Sequence, residues 1–183
     1  MKKLMILSLL AVTATSAFAD KYIETRIGLN TLGTYNFDGH NQVTKQKTDG
    51  IGVDFAVEIM ASINDNLYLG GGIAYQVNQE NKVEDDPLFS SVPVYGAAKY
   101  NLGYIGDSAW VPYIKANLGY SFNMKDGGKH SPNDGLYWAL GGGVENDGVI
   151  LEVAYQDTYS EVINKDYDYS RWTFSVGYRF KNL

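Results

Sequence analysis

The residues best suited to catalysis lie in one short stretch, where Ser131 follows His130 and Asp134 comes three residues later. A serine nucleophile needs a histidine base and an acid within hydrogen-bond reach, and such a set would suit a lipid A-modifying enzyme. Nearness in sequence is not alignment in space, and the glycines and proline of this stretch are typical of a flexible loop. The other histidine, His40, also falls in a polar connection. We therefore predict no catalytic residue and no enzyme, with the lipid A-modifying enzyme as the alternative.

Two acidic stretches are the candidates for a metal site. Each carries four carboxylates and one lysine, a net charge of −3, with the carboxylates Glu80, Glu84, Asp85 and Asp86 in the first and Asp157, Glu161, Asp166 and Asp168 in the second. Neither has the spacing of an EF-hand loop, and no His or Cys spacing suits zinc. We predict solvated acidic surfaces that repel anionic partners or attract a basic host protein, and we predict no metal and no cofactor.

The composition excludes several functional classes. The 183 residues include no cysteine, which rules out a disulfide framework and thiolate chemistry. Fifteen Lys and Arg stand against 21 Asp and Glu, a formal net charge of −6, so the chain lacks the basic face that nucleic-acid binding needs. No glycine run is followed by Gly-Lys-Ser/Thr, so a phosphate-binding loop is not indicated.

Residues 1–19 have the layout of a cleavable secretory signal peptide. Two lysines precede a short apolar stretch, and Ala17 and Ala19 supply small residues at the −3 and −1 positions of a cleavage site. A membrane-spanning helix would need roughly 20 apolar residues, more than this stretch has. We predict cleavage before Asp20, which leaves one domain, 20–183.

A period of two dominates the chain after residue 20, which indicates β-strands. It is clearest at the end, where Trp172, Phe174, Val176, Tyr178 and Phe180 alternate with Arg171, Thr173, Ser175, Gly177 and Arg179. Seven earlier segments repeat the alternation, at about Tyr22–Tyr35, Ile51–Ile63, Leu67–Val77, Val92–Leu102, Val111–Phe122, Leu136–Glu145 and Val149–Gln156. The sequence therefore predicts eight strands.

The connections between these strands alternate in length. Three are short, at Asn64–Asn66, Gly103–Trp110 and Asn146–Gly148, and four are longer, at about Asn36–Asp49, Asn78–Ser91, Asn123–Gly135 and Asp157–Ser170. Short turns on one rim and long loops on the other are the layout of outer-membrane barrels, whereas a β-sandwich gives no reason for it. We predict an all-β fold, an eight-stranded antiparallel up-and-down transmembrane β-barrel.

The polar faces of the strands carry a balanced set of charges. The acids are Glu24, Asp54, Glu58, Glu145 and Glu152, and the bases are Arg26, Lys99, Lys115, Arg171 and Arg179. Charges in a narrow lumen need opposite partners, whereas Arg or Lys facing lipid would cost about 2–4 kcal/mol near the midplane. We interpret the ten as a luminal ion-pair network with a structural role. The alternative is a soluble, lipocalin-like secreted barrel with these charges outside, but its aromatic opposite faces would then lack a cover of lipid.

The segment Phe174–Phe180 resembles the terminal strand of the small outer-membrane β-barrel superfamily, the OmpA-like, OmpX-like and opacity-type barrels. The stretches Pro112–Tyr120 and Leu140–Glu145 resemble the fifth and sixth strands of these barrels, and the resemblance covers the whole mature chain. It implies that the barrel-assembly machinery reads Phe174, Gly177, Tyr178 and Phe180 as an assembly signal. Family members usually end on the aromatic residue, whereas here three residues follow Phe180. The family includes adhesins, complement-evasion proteins, membrane-to-wall tethers and a few lipid-modifying enzymes.

These observations predict a non-enzymatic integral protein of the cell outer membrane that displays four surface loops. We expect surface binding, adhesion or envelope structure, with outer-membrane lipids, the assembly machinery and a host or surface protein as partners and no nucleic acid. A small-solute pore is a further alternative, although eight strands leave an interior that side chains can fill. The first candidates for partner contacts are the loop-side aromatics Phe37, Phe89, Tyr159, Tyr167 and Tyr169, of which Phe89 and Tyr169 also suit an outer girdle.

Overall fold

The structure, a computed structural model, describes residues 20–39, 42–48, 50–79, 89–104, 106, 108–125, 133–162 and 165–181. The predicted leader with Ala17 and Ala19, both histidines, Ser131 and the first acidic stretch lie outside these residues. Among the described residues, no helix is long and apolar enough to cross a membrane.

Nine antiparallel strands make up the described fold. They are β1 (Lys21–Gly39), β2 (Gln42–Lys47), β3 (Gly52–Ser62), β4 (Leu67–Val77), β5 (Phe89–Asn101), β6 (Val111–Lys125), β7 (Gly135–Asn146), β8 (Val149–Val162) and β9 (Lys165–Lys181). Each strand from β3 to β9 pairs with the next one in the chain, and β9 pairs with β1. This last pairing closes the sheet into a barrel.

The nine strands form an eight-stranded barrel because β2 and β3 lie end to end along one edge of β1. Residues 21–30 of β1 pair with β3, residues 34–39 pair with β2, and the opposite edge of β1 pairs with β9. β2 and β3 together therefore make up the second strand of the barrel, interrupted between Thr48 and Ile51, where Gly50 has a φ of 88°. The predicted eight-stranded, up-and-down antiparallel barrel is confirmed.

Two of the predicted long loops are wrong, because the strands continue through most of them. The segment Asn36–Asp49 contains the end of β1 and all of β2, and Asp157–Ser170 contains the end of β8 and the start of β9. The outward residues in these extensions are no longer apolar, so the alternation that predicts a strand disappears. The backbone ladder continues all the same, since it depends on paired N–H and C=O groups.

The short connections have the local chemistry of tight turns. The side-chain oxygen Oδ1 of Asn64 accepts the backbone N–H groups of Asn66 and Leu67, at 3.0 and 2.8 Å. Between β7 and β8, Asp147 and Gly148 have φ values of 45° and 86°, which match the type I′ turn of a two-residue hairpin. These turns define the short-turn rim, and the opposite end of the barrel is the long-loop rim.

The outer wall is apolar and has aromatic residues near both rims. Large side chains such as Ile27, Leu118 and Leu140 are 59–60% exposed in the middle of the wall. Towards the long-loop rim an aromatic belt contains the ring contacts Tyr120–Phe122, Trp138–Tyr155 and Tyr155–Trp172, and towards the short-turn rim Tyr178 contacts Phe180. Such a surface is stable only when hydrocarbon covers it.

Candidate functional site

The barrel interior contains all ten charged side chains that the sequence assigns to it. Strand alternation turns them away from the wall, and eight of the ten are at most 8% exposed; the other two, Glu145 and Arg179, have side chains 12% and 14% exposed. The ten do not form a single network, however. They divide into a group of eight towards the short-turn rim and the pair Asp54 and Arg171 higher up.

The group of eight, called here the ion cluster, interleaves four acids with four bases. Its members are Glu24, Arg26, Glu58, Lys99, Lys115, Glu145, Glu152 and Arg179. Arg26 lies 3.1 Å from Glu152 and 3.5 Å from Glu24, and it also contacts Glu58. Lys99 bridges Glu24 and Glu145 at 2.6 and 2.9 Å. Every base therefore contacts two or more acids, which offsets the desolvation cost of burying charge.

Two tyrosines complete the ion cluster from inside the barrel. The hydroxyl of Tyr95 donates to Glu58 and that of Tyr113 donates to Glu152, both at 2.8 Å. Each hydrogen bond crosses the strand that lies between its two residues at a glycine. Gly72 of β4, for example, pairs with Glu58 on one side and with Tyr95 on the other. The rings fit because the glycine has no side chain.

Asp54 and Arg171 meet through two glutamines instead of directly. Arg171 donates to Gln76 and, at 3.2 Å, to Gln156. Both glutamines in turn donate to Oδ2 of Asp54, at 3.4 and 3.1 Å. The amide nitrogen of Asn30 donates a 2.5 Å hydrogen bond to Oδ1 of Asp54, so both oxygens of this carboxylate accept hydrogen bonds. We call these five residues the amide layer.

A small polar cavity separates the ion cluster from the amide layer. Its volume is about 30 Å³, and it is bounded by Arg26 and Glu152 below and by Gln76 and Gln156 above. This is room for water molecules and for little else. Side chains of the ion cluster and the amide layer fill the described interior on both sides of this cavity.

The amide side chain of Gln79 closes the interior at the long-loop rim. Its oxygen accepts from the backbone N–H of Gly33 at 3.2 Å and from the Thr48 hydroxyl at 2.6 Å, and its nitrogen donates to the carbonyl of Gly50. Gly33 follows Leu32, whose φ of 53° marks a bulge in β1 where the register with β9 shifts. Gln79 thus ties this bulge to the break between β2 and β3.

Tyr169 lies inside this closure, which corrects the expectation that it contacts partners or belongs to the girdle. It is 0% exposed, and its ring stacks on Tyr35 with the centroids 4.4 Å apart. The reason is that β9 extends into the predicted loop. Tyr169 is two residues from Arg171 on the same strand, so it faces the interior as Arg171 does. Tyr159 is exposed as expected, while the side chains of Phe37, Phe89 and Tyr167 lie outside the described residues.

The short-turn rim is closed by an arginine between aromatic rings. The guanidinium of Arg179 lies 3.9 Å from the centroid of Tyr22 and 5.4 Å from that of Tyr68. Its Nη2 also lies 2.8 Å from Glu145. This cation–π contact covers the lower end of the ion cluster.

The residues of the predicted assembly signal divide between the two faces of β9. Phe174, Tyr178 and Phe180 point outward and are 46–51% exposed. Gly177 points inward, and a Cβ at that position would lie 2.5 Å from Cγ of Arg26. The aromatic residues are therefore available at the surface, and the glycine leaves room for the ion cluster.

Of the residues considered for catalysis, Asp134 is described and has a structural contact. Its Oδ1 accepts the backbone N–H of Asn123 at 2.9 Å, which joins the ends of β6 and β7. His130 and Ser131 lie outside the described residues.

Sequence reasoning missed the neutral polar residues of the interior. Gln76, Gln156, Asn30 and Gln79 are each at most 7% exposed and carry most of the hydrogen bonds of the upper lumen. Their inward parity was readable, since Gln76 and Gln156 follow the alternation of β4 and β8. Charge marks a side chain that cannot face lipid, whereas a neutral amide carries a weaker signal of the same kind.

A closed antiparallel barrel with an apolar outer wall, aromatic residues near both rims and a charged interior defines an integral outer-membrane β-barrel protein. The chain belongs to the family of the outer membrane protein beta-barrel domain, which matches residues 5–180. Its location is the cell outer membrane, as predicted. In such barrels the short turns are periplasmic and the longer loops extracellular.

Similar proteins share this architecture at low sequence identity. An uncharacterized protein of Pasteurella multocida (strain Pm70), PM1543, is 23% identical over 96% of this chain and 97% of its own length. Neisserial surface protein A is 16% identical, with a TM-score of 0.54 over 86% of this chain and 97% of that structure. OprG from Pseudomonas aeruginosa is 15% identical, with a TM-score of 0.54 over 90% of this chain and 97% of that one. Ail, the attachment invasion locus protein of Yersinia pestis, in complex with the heparin analogue sucrose octasulfate, is 16% identical, with a TM-score of 0.50 over 89% and 99%.

Proposed function

We propose that the protein is a non-enzymatic barrel that binds a partner at the cell surface through its long-loop rim. The observation that carries this proposal is the filled interior. The ion cluster, the amide layer and Gln79 occupy the lumen between the two rims, and the cavity of about 30 Å³ is too small for a solute. A rigid scaffold that offers no inner site leaves recognition to the loops that it holds in place.

The same observation argues against the pore. Eight strands enclose a space that side chains can fill, whereas aqueous channels need about sixteen or more. A solute would have to break the contacts of Arg26 and Lys115 with Glu58 and Glu152 and leave charges unpaired in a low-dielectric interior. In planar lipid bilayers we expect no stable large conductance.

The partner that we propose is a protein with a basic surface. The first acidic stretch falls in the second predicted long loop, and the second lies on the ends of β8 and β9 at the long-loop rim, each with a charge of −3. Such a rim attracts positive surfaces and repels anionic ones. Ail is described with a heparin analogue, an anionic ligand, so a surface attachment role that resembles Ail's would here select the opposite charge.

Whole-cell binding tests this proposal. The full chain is produced in the outer membrane of a host that lacks its own small barrels, and cells are allowed to bind immobilised proteins of matched size and opposite charge. The variant Glu80→Gln/Glu84→Gln/Asp85→Asn/Asp86→Asn removes the acidic charge of one loop. We expect at least tenfold weaker binding to the basic protein, and weaker binding of the parent at higher salt.

Asp65→Asn is the matched control, because Asp65 is an exposed acid in a turn of the opposite rim. It should bind like the parent. Equal binding of parent and loop variant to basic and acidic proteins would contradict the proposal. Modification of lipid A by the parent, lost in His130→Ala, would replace it with the enzymatic alternative.

A further inference from the structure

One level of the barrel interior is lined mainly by small residues. It lies between the ion cluster and the amide layer, and five of the barrel strands contribute Gly28, Ala56, Ala74, Ala139 and Ala154 to it. These residues are too short to meet across the barrel, whereas the larger side chains below and above them do meet. The cavity of about 30 Å³ described above is the space that they leave, and we call it the interlayer cavity.

Asn117 brings a polar side chain to the wall of the interlayer cavity. It pairs with Ala97 on one side and with Ala139 on the other, and neither methyl group can hydrogen-bond its amide. Its Oδ1 is buried and has no hydrogen-bond partner in the described part of the chain. Rotation of the amide can turn either Oδ1 or Nδ2 towards the cavity. A buried amide oxygen without a partner is costly, so this position calls for a further hydrogen-bonding group.

Glu152 lines the same cavity from below and has one oxygen to spare. Its contacts with Arg26, Lys115 and Tyr113 are all made by Oε2, at 3.1, 3.7 and 2.8 Å. Oε1 makes none of these contacts, and a carboxylate oxygen can accept two hydrogen bonds. Asp54 lines the cavity from above, where its carboxylate can also accept a further donor. The cavity wall therefore has acceptors on both sides and the amide of Asn117 between them.

The charges around the interlayer cavity are balanced. Below it, Arg26 is paired with Glu152 at 3.1 Å. Above it, Asp54 is joined to Arg171 through Gln76 and Gln156. An added ion would leave an uncompensated charge in this low-dielectric interior, whereas a neutral molecule would not. The volume of about 30 Å³ admits about one or two water molecules and no larger neutral ligand.

We propose that the interlayer cavity is a water-binding site, in which one or two water molecules hydrogen-bond to Asn117 and to Oε1 of Glu152 and join the ion cluster to the amide layer. A buried water typically makes about three hydrogen bonds to groups that would otherwise lack a partner, and this wall offers that number. The site also accounts for an asparagine at a level of the barrel where the neighbouring strands carry alanine or glycine.

The bound water should exchange slowly with the solvent. Gln79 closes the interior at the long-loop rim, and Arg179 closes it between Tyr22 and Tyr68 at the short-turn rim. Water can therefore leave only when one of these closures opens locally. A water that stays this long transfers magnetisation to nearby methyl groups, which makes it measurable by nuclear magnetic resonance.

The nuclear Overhauser effect from water to alanine methyl groups tests the site in the full barrel, embedded in nanodiscs of deuterated lipid. Alanine is labelled with ¹³C in its methyl group, since Ala56, Ala74, Ala139 and Ala154 all border the cavity. We expect transfer from water to the methyl groups of Ala139 and Ala154. Ala116 is the internal control, because it is exposed on the lipid-facing wall and should receive none.

Two variants separate bound water from other sources of the signal. Asn117→Leu keeps the size of the side chain and removes the amide, and we expect the transfer to Ala139 and Ala154 to fall at least fivefold. Signal relayed by the hydroxyls of Tyr137 and Thr173, which also border the cavity, would persist in this variant. Ala139→Val keeps Asn117 but fills part of the cavity, so the transfer to Ala154 should fall as well.

Leu118→Met is the matched control, because Leu118 follows Asn117 on β6 and is 60% exposed on the outer wall. It should leave the transfer unchanged. Absence of transfer to all four cavity alanines in the parent, a measurement that needs no variant, would overturn the proposal. Transfer that is as strong in Asn117→Leu as in the parent would also overturn it. Heat-dependent gel mobility confirms that each variant is folded.

Discussion

The hydroxyl of Tyr95 donates a 2.8 Å hydrogen bond to Glu58 across Gly72, and this relationship recurs on the other side of the barrel. There Tyr113 donates to Glu152 at 2.8 Å across Gly143. In both cases a tyrosine lies over a glycine of the next strand and reaches an acid of the strand beyond. The two acids also bind Arg26 and Lys115, so these tyrosines position the centre of the ion cluster.

Removal of one tyrosine hydroxyl should destabilise the barrel without changing its shape. Tyr95→Phe leaves Glu58 short of a donor in a buried site, which costs about 1–3 kcal/mol. The measurement is the urea dependence of unfolding in lipid vesicles. Tyr100→Phe is the matched control, because Tyr100 is 43% exposed on the outer wall. Equal unfolding midpoints for the two variants would show that the bond contributes nothing.

The glycine under each tyrosine should be energetically coupled to it. A Cβ at Gly143 would lie 2.1 Å from the backbone oxygen of Leu151 and 2.7 Å from the hydroxyl oxygen of Tyr113, so Gly143→Ala strains the neighbouring strand and also displaces the hydroxyl from Glu152. In a double-mutant cycle, Gly143→Ala and Tyr113→Phe should therefore be non-additive, by about 0.5–3 kcal/mol. Gly143→Ala combined with Tyr95→Phe should be closer to additive, since Tyr95 contacts the other acid. Additivity in both cycles would contradict the coupling.

Removal of Arg26 should cost a large part of the barrel's stability. It is 6% exposed and contacts three acids, so Arg26→Met leaves buried negative charge without compensation. We expect a loss of about 3–5 kcal/mol in the free energy of unfolding. Lys45→Met, an exposed base on β2, should change it by less than about 0.5 kcal/mol. A small effect of Arg26→Met would mean that the remaining three bases re-pair with the acids.

The terminal strand should matter more for assembly in the cell than for stability. Phe180→Ala is expected to lower the fraction of folded barrel in outer membranes, because the resemblance assigns this residue to the assembly signal. Refolding into detergent should change little. Phe55→Ala is closely matched, since both phenylalanines are 51% exposed on the outer wall. Heat-dependent gel mobility measures the folded fraction, and equal loss in both variants would refute the role of Phe180.

The burial of Asp157 should make stability depend on pH. Burial and the carboxylate of Asp168 raise the pKa of Asp157 from its ordinary 3.8 to about 6, so the folded state binds more protons than the unfolded chain between these values. Stability should therefore fall as pH rises from about 4 to 6 and level off above. Asp157→Asn removes this contribution, which the difference between parent and variant urea midpoints measures across this pH range. A difference that is constant with pH would contradict the raised pKa.

Much of the barrel could be predicted from the sequence because apolar and polar or small residues alternate along each strand of a barrel wall, with a period of two. β4 was predicted with its observed bounds, Leu67–Val77, since apolar and small residues alternate along all of it. The prediction failed for β2 and for the extensions of β8 and β9 beyond the belt. Outward residues there include Lys45, Asp157 and Asp168, so the apolar alternation is lost, although backbone pairing continues the strands.

The sequence by itself determined which side chains face the interior, because inward and outward side chains alternate along a strand and this alternation depends only on the local sequence. The tertiary structure decided which of them meet. The contacts of Arg26 with Glu58 and Glu152 join residues 32 and 126 positions apart, and they depend on how far each strand is displaced along its neighbour as the barrel closes. That displacement follows from the pairing of all the strands together. The division into ion cluster and amide layer and the stacking of Tyr169 on Tyr35 follow from this register.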